Sequence, residues 1–377
     1  SGDERITLQN VFFGEVGLAA RQSNMVIPLR GSHGGSDKLV KSIEDIHFVV
    51  VPQRTGLPVT AGLTSQELTW NVFSPPKNQQ IAAVAYYFAE HLLHGLGRKV
   101  GIIQSAYGGT PAQAWVPLGP LEENDALRHY AEEIKSGLAS ERTAAEWKKE
   151  VDDFDRYRVA MKRWSLYGQG ARPTNPGKVS SQNPYSSKTA TVLYENMVKP
   201  LIPYTTRGVI WYQGESNVNN PSEYRELFTT LVDAWRVDWK KADWPFLFVQ
   251  LATFGQPMGD WPNLRNAQAF VRDHVPHTGM AVALDVGEKD DIHPKAKQPV
   301  GERLARLALR QVYHLPVPAR GPHIKSVKVS GDTVKLSFGF VERGLQTGDR
   351  SVYVSGFEVC YADGESESLV GRIATPD

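Results

Sequence analysis

Two stretches of this chain, KVGIIQS (99–105) and RGVIWYQG (207–214), are apolar at consecutive residues rather than at alternate ones. A strand that hides both faces belongs in a sheet covered by helices on both sides, and such sheets are mostly parallel. VFFGEVGLA (11–19), WPFLFVQLA (244–252) and GMAVALDVG (279–287) read the same way. Segments of helical period lie between them. In QQIAAVAYYFAEHLLHGLG (79–97), Ile81, Val84, Ala85, Phe88 and Leu92 share one face and the pattern stops at glycine. Helices are also expected over 222–236 and about 295–313. The alternation predicts an α/β protein with a mostly parallel central sheet between two helical layers.

Two regions leave this rhythm. From 141 to 165, 13 of 25 residues are charged, while Trp147, Val151, Phe154, Met161 and Trp164 recur at helical spacing. With the aperiodic loop that follows over 168–187, residues 120–187 read as a helical and loop insertion, long enough to act as a lid. Beyond 318, IKSVKVSGDTVKLSF alternates on either side of Gly331-Asp332, a hairpin pattern that SVYVSGFEVCYADG continues. Residues 1–318 are therefore expected to form one large domain and 319–377 a small β-rich appendage.

Charge and composition narrow the function. A net charge of +1 offers no electrostatic footprint for nucleic acid or an anionic membrane. No apolar run approaches the roughly 20 residues of a membrane span, and the polar opening SGDERITLQN shows no secretory signal. The single cysteine, Cys360, excludes an internal disulfide framework and a cysteine zinc cluster. The ten histidines include no H-x-H or H-E-x-x-H pair, which argues against a metallohydrolase.

Sites in open α/β sheets lie at the carboxyl ends of strands. Four of the expected strands end in polar turns: RQSNM (21–25), QSAYGGTP (104–111), YQGESN (212–217) and DVGEKDDIHP (285–294). In the last of these, Pro294 suits the first turn of a helix and would put His293 at its cap. Asp290 and Asp291 precede that histidine by three and two residues. Either carboxylate could accept the imidazole Nδ1–H and leave Nε2 as a general base, although acids at a helix start are also ordinary caps. Ser23, Ser105 and Ser216 are the hydroxyls near strand ends. Ser105 sits inside its strand, and GESNV around Ser216 lacks the final glycine of a nucleophile elbow. Spacing favours Ser23 only modestly over a serine that merely satisfies its own turn. An oxyanion would be held by the Ser23 backbone, by Gly108 or Gly109, by Gln213 and, less directly, by Asn217.

Taken together, QSNM, GIIQSAYGGTPAQAW, KPLIPYTTRGVIWYQGESN, LFVQLA and DIHPKAKQPVGERLARLAL resemble the sialate O-acetylesterase family of carbohydrate acetylesterases, within the SGNH hydrolase superfamily. The resemblance runs over roughly residues 11–322, with gaps at the insertion, and the motifs keep the family's order. It implies a flavodoxin-like three-layer α/β/α fold, a periplasmic or secreted location, and hydrolysis of acetylated sugars without metal or cofactor. It implies Ser23 as nucleophile and His293 as base. Asp290 follows from the superfamily's D-x-x-H spacing, and Asp291 fills the acid of DIHP itself. Oxyanion donors map to Ser23, Gly108 and Gly109, and Gln213. Arg21 stands where the family has glycine. If that position requires φ > 0, arginine costs about 1 kcal/mol or more and tilts the nucleophile turn. Arg21, Arg265 and Arg172 are the arginines available to a sialic acid carboxylate, and Trp115, Trp211, Tyr212 and Trp261 could wall a sugar site. Acetylated xylan or xyloglucan is the alternative substrate, and a carbohydrate-binding protein with an impaired hydrolase site is the alternative class.

Overall fold

The strands β1 (Glu15–Arg21), β2 (Ile43–Val50), β3 (Asn71–Phe73), β4 (Val100–Ala106), β5 (Gly208–Tyr212), β6 (Phe246–Val249) and β7 (Thr278–Ala281) form one sheet. Their order is β3-β2-β4-β1-β5-β6-β7, and every neighbouring pair is parallel except β2 with the edge strand β3. The computed structural model describes residues 11, 13–60, 62–168, 170–202, 204–256, 259–341 and 344–374, the side chains of residues 21, 166 and 167 excepted. The core order β4-β1-β5-β6-β7 is flavodoxin-like. From β1 the chain crosses to the β4 side and then returns past β1 to β5. This leaves the topological switch point, where such folds bind ligands, between β1 and its two neighbours.

The helices are α1 (Gly35–Lys38), α2 (Ala83–Leu96), α3 (Leu118–Glu123), α4 (Arg128–Leu138), α5 (Ala144–Tyr167), α6 (Pro221–Asp238), α7 (Trp261–His274) and α8 (Lys297–Gln311). β5 shows why they fall into two layers. Trp211 packs on Phe228 and Trp235 of α6, with ring centroids 5.8 and 5.6 Å apart. The next residue inward, Ile210, lines a small apolar cavity with Phe88 and Leu92 of α2 and Ala308 of α8. Successive strand residues face opposite sides, so α6 covers one face and α2 with α8 the other. The two helices of the second layer approach closely. A β-carbon at Gly301 of α8 would lie 2.6 Å from Tyr87 Cβ and 2.8 Å from Phe88 N on α2.

Sequence patterning located these elements with some misplacement. The first strand begins at Glu15 and runs on to Arg21, and β7 stops at Ala281 because Leu284–Val286 coils into a 3-10 turn. β2 was not singled out, since its first half is polar and exposed and only its second half is buried. The charged stretch after residue 120 is helical, and α5 starts at a capping box in which Thr143 and Glu146 exchange side-chain and backbone hydrogen bonds. The chain divides into two compact units between His314 and Leu315, slightly earlier than the expected boundary, once α8 has ended at Gln311. In the second unit, β8 (His323–Ser330) pairs with β9 (Thr333–Gly339) around Gly331-Asp332, and β10 (Tyr353–Cys360) pairs with β11 (Ser366–Arg372).

Candidate active site

Register at the switch point brings three turns to one level. Arg21, the last residue of β1, is paired with Ala106 of β4 and with Tyr212 of β5. The chain therefore leaves all three strands side by side, at Gln22-Ser23, Tyr107-Gly108 and Gln213-Gly214. This strand pairing keeps the Arg21 backbone extended, and Arg21 is not among the described residues with positive φ. The strain expected of an arginine in a glycine conformation is absent. The Arg21 side chain, and with it the expected carboxylate contact, lies outside the described residues.

After β1, Ser23–Met25 forms a single 3-10 turn, closed by the Met25 and Val26 amides donating to the Gln22 and Ser23 carbonyls at 2.8 and 2.9 Å. His293 meets this turn from 270 residues away, with its Nε2 2.7 Å from Ser23 Oγ. The histidine is on a loop and not at a helix cap, because α8 begins only at Lys297. Lys295 donates its amide to Glu288 Oε1 at 2.6 Å and accepts the His33 amide at 3.0 Å, which holds the residues after Pro294 off the helical path.

The two candidate acids separate. Asp290 is exposed and accepts Gln256 Nε2 at 2.9 Å. Asp291 Oδ1 accepts the His293 backbone amide at 2.8 Å and lies 3.8 Å from Nδ1. The acid beside the imidazole is therefore Asp291. At that separation it acts on the ring through charge and by fixing the backbone beneath it, without a direct hydrogen bond. Burial holds the His293 imidazole below the ordinary histidine range, the nearby Lys297 charge adds to this, and Asp291 opposes both. The ring is thereby kept neutral near pH 7, with Nε2 directed at the serine hydroxyl.

Gly108 rests against Ser23. A β-carbon there would sit 3.5, 3.7 and 3.8 Å from Cβ, Cα and N of Ser23. Gly109, at φ +70°, takes a left-handed conformation that costs other residues about 1–2 kcal/mol. Both glycines are exposed, so the turn is open to solvent beside Ser23. Gln213 and Asn217 do not match the expectation of free donors. Gln213 is fully buried, accepts the Tyr224 hydroxyl at 2.8 Å and donates Nε2 to Asn217 Oδ1 at 2.7 Å. Asn217 also accepts the Ala112 amide at 2.8 Å and donates to Gln113 Oε1 at 3.1 Å. Buried carboxamides need such partners, and these two brace the glycine-turn loop from below.

The expected aromatic wall is part of the core. Trp115 and Trp211 are 0% exposed and Tyr212 is 1% exposed. Trp115 and Trp211 meet edge to face at 6.5 Å, which satisfies their large apolar area inside the protein and leaves no face for a sugar. Trp261 is also buried, with its indole N–H donated to the Ala252 carbonyl at 2.8 Å. The other serines are explained as well. Ser105 is buried and donates to the Met197 carbonyl at 2.8 Å, while Ser216 is exposed on the 3-10 turn Glu215–Asn217. Arg172 lies over the Trp164 ring of the insertion at 5.8 Å. Arg265, partly buried on α7, has no carboxylate partner among the described residues, and burial pulls its guanidinium below the ordinary arginine range.

Three residues beneath the pair escaped the sequence reading. The Lys297 ammonium donates to Asn24 Oδ1, and Asn24 Nδ2 donates to Glu215 Oε1 at 2.6 Å. One signal was available for Lys297. It falls in phase with Val300, Gly301, Leu304 and Ala308, the buried stripe of α8, where a charged residue is out of place unless it is paired.

Residues 177–310 match the family model described as SASA, carbohydrate esterase, sialic acid-specific acetylesterase. Over 333 residues the chain is 26% identical to a sialate O-acetylesterase of Homo sapiens, covering 79% of this chain and 53% of that protein. It is likewise 26% identical over 336 residues to the protein of the same name from Rattus norvegicus, covering 79% of this chain and 56% of that one. The chain thus spans about half the length of the curated relatives it matches. A solved structure of a carbohydrate acetylesterase from Xanthomonas citri superimposes with a TM-score of 0.72 at 27% identity, covering 94% of this chain and 69% of that one. The family that the motifs resemble is the one these comparisons return.

Proposed function

We propose that this chain, a relative of the sialate O-acetylesterases, is a serine esterase that removes acetyl groups from sugar hydroxyls through an acetyl-enzyme. The carrying observation is the 2.7 Å contact between Ser23 Oγ and His293 Nε2 at the carboxyl end of the sheet. As Ser23 Oγ bonds to the acetyl carbonyl carbon, its proton passes to His293 Nε2. The carbonyl oxygen takes up negative charge and is met by backbone donors of Ser23 and the Gly108-Gly109 turn. Asp291 stabilises the imidazolium that forms. Collapse breaks the bond from acetyl carbon to sugar oxygen, and His293 returns the proton to that oxygen. Water then attacks the acetyl-enzyme, giving its proton to His293, and acetate leaves as Ser23 is reprotonated.

The intact serine–histidine contact and the unstrained Arg21 backbone favour this reading over a binding protein with a disabled site. For the substrate, the match to a sialic acid-specific acetylesterase family supports an acidic sugar, for which Arg265 is an available cation. A partly buried guanidinium that has no carboxylate partner among the described residues suits the carboxylate of a sialic acid, which a neutral xylan chain lacks. Acetate release from p-nitrophenyl acetate by wild type and Ser23→Ala tests the reaction, and equal rates would overturn it. Acetylated sialosides and acetylated plant oligosaccharides, assayed with wild type and Arg265→Gln, test the substrate. The variant should raise KM for the sialoside about tenfold while sparing p-nitrophenyl acetate. An unchanged sialoside KM would remove Arg265 from recognition.

A further inference from the structure

The catalytic pair stands on a buried polar bridge that the reaction scheme does not use. Asn24 follows Ser23 directly, is 1% exposed, and spends its side chain on partners from two other segments. Its Oδ1 accepts the Lys297 ammonium at the start of α8. Its Nδ2 reaches Glu215, in the turn after β5, at 2.6 Å and the carbonyl of Ile292 at 3.4 Å. Ile292 is the residue before His293. A single carboxamide therefore ties the neighbour of the nucleophile to the neighbour of the base. Lys297 is itself 1% exposed, with its ammonium 5.5 Å from the Tyr212 ring centroid. A cation buried this deeply is tolerated only with an anion to balance it, and Glu215 is placed to do so through Asn24.

We propose that Lys297 and Asn24 are positioning residues: together they fix the serine turn against the histidine turn and keep a positive charge beneath the imidazole. The inference rests on the serine-esterase reading. The charged and titratable groups around it are few. Glu215 from the β5 turn, Asp291 and Glu288 from the histidine loop, and the phenol of Tyr212 face Lys297, while Lys297 and Asp291 face His293. Burial brings the Lys297 ammonium down to about 8, against the pull of Glu215, Asp291 and Glu288. The group is therefore still mostly charged at pH 7, where its field disfavours a second positive charge on His293. A purely apolar residue at 297 could support the packing of α8, but it would leave the imidazole easier to protonate.

The test is the titration of His293 in the whole protein, followed by NMR, with the pH profile of kcat/KM beside it. In Lys297→Met the His293 pKa should rise by about one unit, the lower end of what a nearby charge produces. The acidic limb of kcat/KM should move upward by the same amount. Lys297→Arg, which keeps the charge, should titrate within a few tenths of a unit of wild type. If Lys297→Met folds poorly because Glu215 is left unbalanced, Lys297→Met with Glu215→Gln removes both charges and should restore folding. The His293 titration in that double variant should still be shifted upward relative to the single Glu215→Gln variant. An unchanged histidine titration in folded Lys297→Met or in the double variant would reduce Lys297 to a packing residue and overturn the proposal. The NMR readout does not need turnover, so loss of the esterase reading, shown by equal rates of wild type and Ser23→Ala, is distinguished from loss of this one.

Discussion

Replacing Gly108 by alanine separates catalysis from folding at this site. The added methyl would lie 3.5 Å from Ser23 Cβ, 3.7 Å from its Cα and 3.8 Å from its N, all ordinary van der Waals separations. Gly108 is not among the glycines with positive φ, so alanine brings no backbone strain either. The variant should therefore unfold within a degree or two of wild type. The same methyl occupies the space beside the Ser23 amide that an incoming acetyl oxygen must share. Displacing the oxyanion from one donor typically costs about 2.7–4 kcal/mol of transition-state stabilisation, or roughly 10²–10³ in kcat. Gly109→Ala is the control with the opposite expectation. Among the described residues no atom lies within 4 Å of its added carbon, but its φ of +70° imposes about 1–2 kcal/mol of strain, which appears as lowered stability with a smaller effect on rate. Steady-state hydrolysis of p-nitrophenyl acetate and a thermal melt on each variant suffice. A Gly108→Ala enzyme within about threefold of wild-type kcat would refute the placement of the oxyanion at this turn.

Other outcomes follow from the same geometry. Asp291→Asn should lower kcat/KM at least about tenfold, since it removes the charge that stabilises the imidazolium, whereas Asp290→Asn should change it by less than about twofold; the reverse ranking in steady-state assays would return the role to Asp290. Because burial and Lys297 hold the histidine below its ordinary value of 6.5, kcat/KM should be half-maximal below that pH and flat above it. The sign is fixed by the base having to be neutral, so a pH profile still rising above 7 would contradict the arrangement. Trp211→Ala should cost about 3–5 kcal/mol in denaturant unfolding, the usual penalty for a fully buried tryptophan. A loss in sugar affinity without a loss in stability would instead restore it to the binding site.

The parts legible in the sequence were those carried by local pattern. Consecutive apolar runs at 99–105 and 207–214 identified central strands, and polar turns after four strands located the rim. Ser23 and His293 could be paired because each stands at such a turn within a motif of distinctive spelling. What could not be read was direction. Trp211 and Tyr212 sit beside the site in sequence, but strand alternation and burial turn both rings into the core. Asp290 has the better spacing to His293, yet the loop rotates it toward Gln256 and leaves Asp291 beside the ring. Lys297, Asn24 and Glu215 meet only because α8, the serine turn and the β5 turn converge, and no local window contains more than one of them.

The close approach of α8 to α2 at Gly301 bears on chemistry some distance away. Gly301 lies eight positions after His293 and four after Lys297, on the helix that follows the histidine loop. With only a hydrogen at 301, the helix seats against Tyr87 and the Phe88 backbone, and the loop it carries reaches Ser23 at hydrogen-bond distance. A larger residue there forces α8 and α2 to shift against each other, and misplacement of about 1 Å between reacting groups can cost on the order of a hundredfold in rate. The spacing of Ser23 and His293 thus depends in part on how α8 packs on α2. On the proposed reading, Gly301→Ala should therefore slow acetate release as well as lower stability, although position 301 touches neither Ser23 nor His293.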